Sequence, residues 1–381
     1  MKNILLVSHQ SDLSGAPISL YLLAKELDKK QFNVFYLTPT LGPIISKLNE
    51  SKIKTIILDN KELSKNRFIR KIKRLTYSAK IFKIIKEKKI DLIHVNTILA
   101  NFGAQAGYKA KIPVIWHLRE TLQNPRFNLI SKKKINQISN KVIVASQAIK
   151  DIISQFVSKE KIEIVYNGVD LNQFDSNLES KIKEEFKILP ETKLIGIIGS
   201  LEENKGVDFF IQAAAKIKQE IPKIKFLIIG KTLLNQKKYL DFLKNLTKKL
   251  GIENDIIFSG ARTDIAQIIK ALDVVVISSK FEAFGRTIIE GMAMEKPVIA
   301  SNCGGIPEII EDGKSGILFP VGDIDSLATN VVKILQDKNL ALKLGKEGKK
   351  RVEEKFSIKK CTQKIEKIYE EILNKKIYEK K

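Results

Sequence analysis

Glu282 and Glu290 stand eight positions apart across a Phe-Gly turn, in the stretch SSKFEAFGRTIIEGMAMEKPVIASNCGGIPEII that occupies residues 278–310. An ionised carboxylate accepts two neighbouring O–H groups well, so a pair of them suits one polyhydroxylated ligand. Glu282 falls in a loop after the apolar run Val274-Val275-Val276-Ile277. Glu290 is expected two turns into the apolar-periodic helix that ends before Pro297-Val298-Ile299-Ala300. Ligands of an open α/β sheet bind in the crevice beyond the carboxyl ends of its strands. A third group joins them: Gly199-Ser200-Leu201, then Lys205-Gly206, sit where another strand ends and a helix begins. The free N–H groups of a helix start hold phosphate, and a lysine there adds a compact positive charge.

The elements that must position these groups alternate short apolar runs with amphipathic stretches, the pattern of parallel βαβ units. In the first half, strands are expected at residues 4–7, 34–37, 55–58, 92–95, 114–117 and 142–145. The second half restarts with 194–199, 225–229, 256–259, 274–277, 297–300 and 316–319. Helices fit between them, for example at 16–27 and 206–219. Two successive doubly wound sheets imply an α/β fold of two Rossmann-like domains facing across a cleft. The expected boundaries are 1–172 for the first domain and 173–355 for the second. Residues 356–381 should form one amphipathic helix crossing back to brace the first domain.

The bulk numbers fit that picture. The chain has 381 residues, 44% apolar and 29% charged, which is ordinary globular composition. It holds no apolar run of about eighteen residues that could span a bilayer. The apolar start at residues 3–7 is followed at once by Ser8-His9-Gln10-Ser11-Asp12, so it reads as a first strand rather than a leader. Cys303 and Cys361 fit no metal or redox spacing, which suits a cytoplasmic protein. Net charge is the outlier, with 67 basic against 43 acidic residues. Residues 1–170 hold 30 basic and 13 acidic side chains, and 61–90 alone hold 12 and 2. In that segment Phe68, Ile69, Ile72, Leu75, Tyr77, Ala79, Ile81, Phe82, Ile84 and Ile85 interleave with Lys and Arg at roughly helical spacing. Two readings remain open: a basic amphipathic helix on the inner face of an anionic membrane, or a surface helix packing its apolar face on the first domain. Nucleic acid is not expected as a partner, because no recognition motif appears.

The second-half motifs run in the order Asn167-Gly168-Val169-Asp170, Lys205-Gly206, Glu282 to Glu290, Gly304-Gly305-Ile306-Pro307-Glu308, then Asp312-Gly313 with Gly316. That order and spacing resemble the retaining glycosyltransferases of family four, which adopt the GT-B fold. The resemblance spans nearly the whole chain and is most specific between residues 205 and 323. It implies a hexosyl transfer from a nucleoside diphosphate sugar to a glycan or lipid-linked acceptor in cell-envelope polysaccharide or glycolipid synthesis. Catalytic roles would fall to Glu282, which holds hydroxyls of the transferred sugar, to Lys205 on the diphosphate, and to His117, beside the donor sugar. Donor contacts would come from Glu290 on the ribose, from the amides of Ala283, Phe284 and Gly285, and from the small-residue loop Gly15-Ala16-Pro17. Gly260-Ala261-Arg262 falls where the family's base-recognising loop lies. The family usually has an arginine where this chain has Ser200; Arg262, Arg286 and Arg119 are the candidates to take its place.

Plainer readings accompany several of these residues. His117 could be a satisfied core imidazole, and His9 and His94, also at strand ends, read as structural. Asp323-Ile324-Asp325 spells the acidic triplet of metal-dependent sugar-nucleotide enzymes, yet it precedes an apolar helix, so capping accounts for it. No metal or other cofactor is expected. Two other functions share the architecture: a nucleotide-sugar epimerase, and a non-catalytic peripheral membrane or scaffold protein.

Overall fold

The structure, a computed structural model, describes residues 1–59, 67–120, 129–232 and 237–378, with backbone alone at 67–75, 129–132 and 375–378. It divides into two compact units, one of Met1–Gly168 with Ile358–Lys381 and the other of Val169–Ser357.

The first unit is built on a parallel sheet of β1 (Lys2–Val7), β2 (Phe32–Thr38), β3 (Lys54–Ile57), β4 (Leu92–Asn96), β5 (Val114–Leu118), β6 (Lys141–Val144) and β7 (Ile162–Ile164). Their order is β3-β2-β1-β4-β5-β6-β7. Connections from β1 run outward one way and those from β4 the other, so the switch point lies between β1 and β4. The central strands are buried on both faces, which is why they read as continuous apolar runs rather than alternating ones. Six of the seven strands coincide with the expected runs. β7 was not anticipated: it is three residues long, Ile-Glu-Ile, and only its first residue is buried.

The second unit repeats the plan with β8 (Lys193–Ile198), β9 (Ile224–Ile229), β10 (Ile256–Gly260), β11 (Val274–Ile277), β12 (Val298–Ser301) and β13 (Ile317–Phe319). The order β10-β9-β8-β11-β12-β13 puts its switch point between β8 and β11. All six were legible as apolar runs.

The chain's last helix, Ile358–Tyr378, is part of the first unit and packs beside the helix Gly15–Glu26. Ile365, Ile368, Tyr369, Ile372 and Leu373 join Leu20, Leu23 and Leu27 in one core cluster. The basic helix Arg67–Glu87 turns Tyr77, Ile81 and Ile85 inward to burial. Tyr77 stacks edge-on to Phe102, with centroids 4.7 Å apart, and donates to the Leu58 carbonyl at 2.9 Å. Over this stretch the apolar face belongs to the domain core. Phe68, Ile69, Ile72 and Leu75 lie outside the described side chains. Among the described residues, no helix is long and apolar enough to cross a membrane.

Candidate functional site

In the second unit, Lys205 and Glu282 come from the loops that follow β8 and β11, the two strands flanking the switch point. Lys205 Nζ lies 2.5 Å from Glu282 Oε1, and Ser279 Oγ donates to the same oxygen at 3.0 Å. The lysine stem runs over Gly199, where a side chain's first carbon would already touch Lys205 Cδ at 3.8 Å. Burial opposes the ammonium charge, but the Glu282 carboxylate outweighs it and holds the Lys205 pKa above its usual value. Lys205 is therefore a fixed cation at any physiological pH.

Backbone geometry explains why these loops need glycine. Gly206, at φ +61° between the turn Glu203–Lys205 and the helix Val207–Glu220, would drive a Cβ to 1.9 Å from the Ser278 carbonyl oxygen. Ser278 Oγ bonds the Gly206 carbonyl at 2.7 Å, so the two loops are stitched together. On the other side, Gly305 N–H donates to the Glu282 carbonyl at 2.9 Å.

Glu290 lies just over one turn into the helix Arg286–Ala293, not two, because residues 278–285 are all loop. It is buried, and its Oε1 accepts from Arg286 Nη2 at 2.8 Å. The Phe284 ring is buried against Phe356, 5.9 Å between centroids, and Ala283 is buried beside it, so this loop is anchored by its side chains. Gly285, at φ +103°, turns the chain into the helix. Cys303 Sγ faces the Ser279 carbonyl at 3.4 Å, and burial first, with Glu282 adding to it, raises its thiol pKa.

Ser200 is half-buried after β8. Arg262 is clasped by two carboxylates: Nη2 lies 2.8 Å from Glu185 Oε2, and Nε and Nη2 lie 2.9 and 2.6 Å from Asp264. Asp323 caps the helix Ile324–Gln336 by accepting from Ser326 N–H at 2.9 Å, and Asp325 pairs with Lys216.

In the first unit, Gly15 and Ala16 open the helix that follows β1, with Asp12 bracing Ser14 through bonds of 3.0 and 2.6 Å. Asn96 Nδ2, at the end of β4, donates to the Ala16 carbonyl at 3.0 Å. His117 is completely buried on β5. Its Nδ1 faces His94 Nε2 at 3.2 Å and Arg119 Nη2 at 3.3 Å, and its Nε2 has no partner among the described residues. Burial first, then the nearby Arg119 and His94, hold its pKa well below the usual imidazole value. His94 is likewise held near 3, by burial and then by Arg119. His9 sits at about 4, lowered by burial against the opposing pull of Asp12.

Both halves match known enzymes. The family described as Glycosyltransferase Family 4 matches residues 13–173, and Glycosyl transferases group 1 matches residues 179–351. This chain is a glycosyltransferase similar to those of family four. N-acetyl-alpha-D-glucosaminyl L-malate synthase of Bacillus anthracis is 28% identical over 309 residues, 78% of this chain and 79% of that one. UDP-Gal:alpha-D-GlcNAc-diphosphoundecaprenol alpha-1,3-galactosyltransferase of Escherichia coli is 26% identical, covering 90% of each. Among solved structures, Anabaena HepE in complex with UDP-glucose superposes with a TM-score of 0.86 at 26% identity, over 97% of this chain and all of the other.

Within this glycosyltransferase the structure brings some of the sequence-derived candidates together in three groups, and leaves Arg262 apart with Glu185 and Asp264. Lys205 and Glu282 touch; Glu290 touches Arg286; His117, Gly15 and Ala16 gather around the switch point of the first unit. Ser279, Asn96 and Tyr369 are not among the sequence-derived candidates, while Cys303 reads there only as an isolated thiol and Asn167 only as part of a motif. Ser279 had a signal, a hydroxyl three positions before a loop carboxylate. The others are joined to their partners only by folding.

Proposed function

We propose that this glycosyltransferase moves a sugar, with retention of anomeric configuration and without a metal, from a nucleoside diphosphate sugar to a hydroxyl of a glycan or lipid-linked acceptor. The observation that carries the reading is the Lys205–Glu282 contact across the β8/β11 switch point. As the bond from the anomeric carbon to the phosphate oxygen breaks, negative charge grows on the diphosphate. A preorganised cation stabilises that charge more than it stabilises the ground state. Lys205 supplies the positive charge, and Glu282, fixed by Lys205, Ser279 and the Gly305 amide, accepts hydrogen bonds from the sugar hydroxyls. Glu290 serves the ribose hydroxyls. The acceptor oxygen bonds to the anomeric carbon while a donor phosphate oxygen takes its proton. No protein base is needed, and His117, held neutral, is a hydrogen-bond donor rather than a base.

A uridine nucleotide is the favoured donor, since HepE was solved with UDP-glucose and the Escherichia coli relative is named for UDP-Gal. That relative is also named for a diphosphate-linked lipid, an acceptor whose charge complements the basic first half of this chain. Steady-state kinetics with a panel of nucleoside diphosphate sugars tests the assignment. Lys205→Ala should lower kcat by about 10²–10³-fold, the usual consequence of removing one charge-stabilising group. The exposed Lys333→Ala is the control. If both variants turn over alike, the diphosphate role of Lys205 is wrong.

A further inference from the structure

Three rings of the first unit form a hydrogen-bonded chain that ends on an unpartnered nitrogen. The hydroxyl of Tyr369, on the helix Ile358–Tyr378, lies 2.7 Å from Nδ1 of His94 on β4. His94 Nε2 lies 3.2 Å from Nδ1 of His117 on β5, and Arg119 Nη2 lies 3.3 Å from that same Nδ1. All three rings are 0% exposed. The far nitrogen of His117, Nε2, is buried with no partner among the described residues.

The order of the protons follows from Arg119. A guanidinium offers only donors, so His117 Nδ1 must present its lone pair. A neutral imidazole with a lone pair on Nδ1 carries its proton on Nε2. His94 Nε2 faces that lone pair as well, so it must donate. His94 Nδ1 is then the acceptor, and the Tyr369 O–H points at it. The reverse order would set an Nδ1–H of His117 against an arginine N–H. Arg119 cannot easily swing away, because Nε donates to Asn96 Oδ1 at 2.6 Å and Nη1 donates to Asn167 Oδ1. Tyr369 is equally fixed, its ring edge-on to Phe32 with centroids 5.7 Å apart.

We propose that Tyr369 is a positioning residue: from the C-terminal helix it acts with Arg119 to lock His94 and His117 into their Nε2–H tautomers. His117 then presents one N–H donor and no free lone pair. Only the receiver of that N–H, an oxygen of a bound substrate, rests on the proposed transfer reaction; the tautomer lock does not.

With three histidines in the chain, long-range 1H–15N correlation spectra of the full-length protein at neutral pH can resolve each ring. The wild type should show His94 and His117 as neutral Nε2–H forms. Tyr369→Phe keeps the aromatic packing, so the fold should survive. His94 should then populate both tautomers, with the His117 resonances moving in response. A wild-type His117 in the Nδ1–H or doubly protonated form would overturn the proposal. So would a folded Tyr369→Phe protein with both rings unchanged. Should that variant not fold, His94→Gln decides: its amide N–H replaces the His94 donor, and His117 must remain in the Nε2–H form. A locked tautomer in a protein that transfers no sugar would instead refute the proposed function and leave this inference standing.

Discussion

A methyl group added at residue 304 would sit 2.0 Å from the Glu282 carbonyl oxygen, on a backbone held at φ +54°. Neither problem is solved by a rotamer change, because the obstructing atom is main chain. The loop after β11 would have to move, taking the Glu282 carboxylate away from Lys205. Left-handed backbone at a non-glycine residue costs on the order of 1–3 kcal/mol, and the clash adds to it. Gly304→Ala should therefore lower stability by at least that order and raise the KM for the nucleotide sugar more than it lowers kcat. Thermal denaturation alongside donor titration checks both. A variant with wild-type KM would mean that Glu282 is not held by this close approach. Gly313, also left-handed at φ +68° but with no neighbour within contact distance, makes the comparison clean. Its alanine variant should show the backbone cost without the change in KM.

At the level of elements, the C-terminal helix is held to the first unit by apolar packing and by polar contacts that include the Asp28 N–H donating to Glu366 Oε1 at 2.8 Å and the Tyr369 hydroxyl 2.7 Å from His94 Nδ1. Ile365 is fully buried in that seam. Ile365→Ala should cost about 2–5 kcal/mol, the range for truncating a buried aliphatic side chain. The chain's single tryptophan, Trp116, is buried on β5 of the same unit, so its fluorescence during denaturant unfolding measures the loss. An unchanged midpoint would show that the helix contributes little to this unit. Its existence and its amphipathic face were legible in the sequence, as were twelve of the thirteen strands, because buried parallel strands are unbroken apolar runs. β7 escaped because a three-residue strand with a glutamate at its centre carries no such run. Lys205 and Glu282 were legible as individual groups because each follows a strand, but their contact spans 77 residues and depends on strand order. The bond between His94 and Tyr369 spans 275 residues, and no local pattern encodes it. His94 reads as structural in the sequence, and only the fold adds that it bridges Tyr369 and His117.

Across the whole molecule, the three histidines share one electrostatic consequence. Each has its pKa lowered by burial: His9 to about 4, His94 to about 3 and His117 well below its ordinary value. An unfolded imidazole takes up its proton near 6.5, so below that pH the unfolded chain binds more protons than the folded one. Stability is then complete above about pH 6.5 and falls as the solution is acidified, levelling off for each ring only near its folded-state value. For the fully buried His94 the loss is about 2 kcal/mol by about pH 5, at 1.36 kcal/mol per unit of separation. Glu120 works in the opposite sense, because burial raises its carboxyl pKa against the pull of the Ile98 and Arg119 amides. Glu366 on the C-terminal helix, also raised by burial, acts with it, so two groups oppose three. The first unit, followed through Trp116, should therefore show a falling unfolding midpoint between neutral pH and about pH 5. His94→Gln, which cannot protonate there, should flatten that slope while lowering the neutral-pH midpoint. A slope that His94→Gln leaves unchanged would mean that this ring is not held neutral by the fold, and the proton order assigned to His117 would lose its support at the same time.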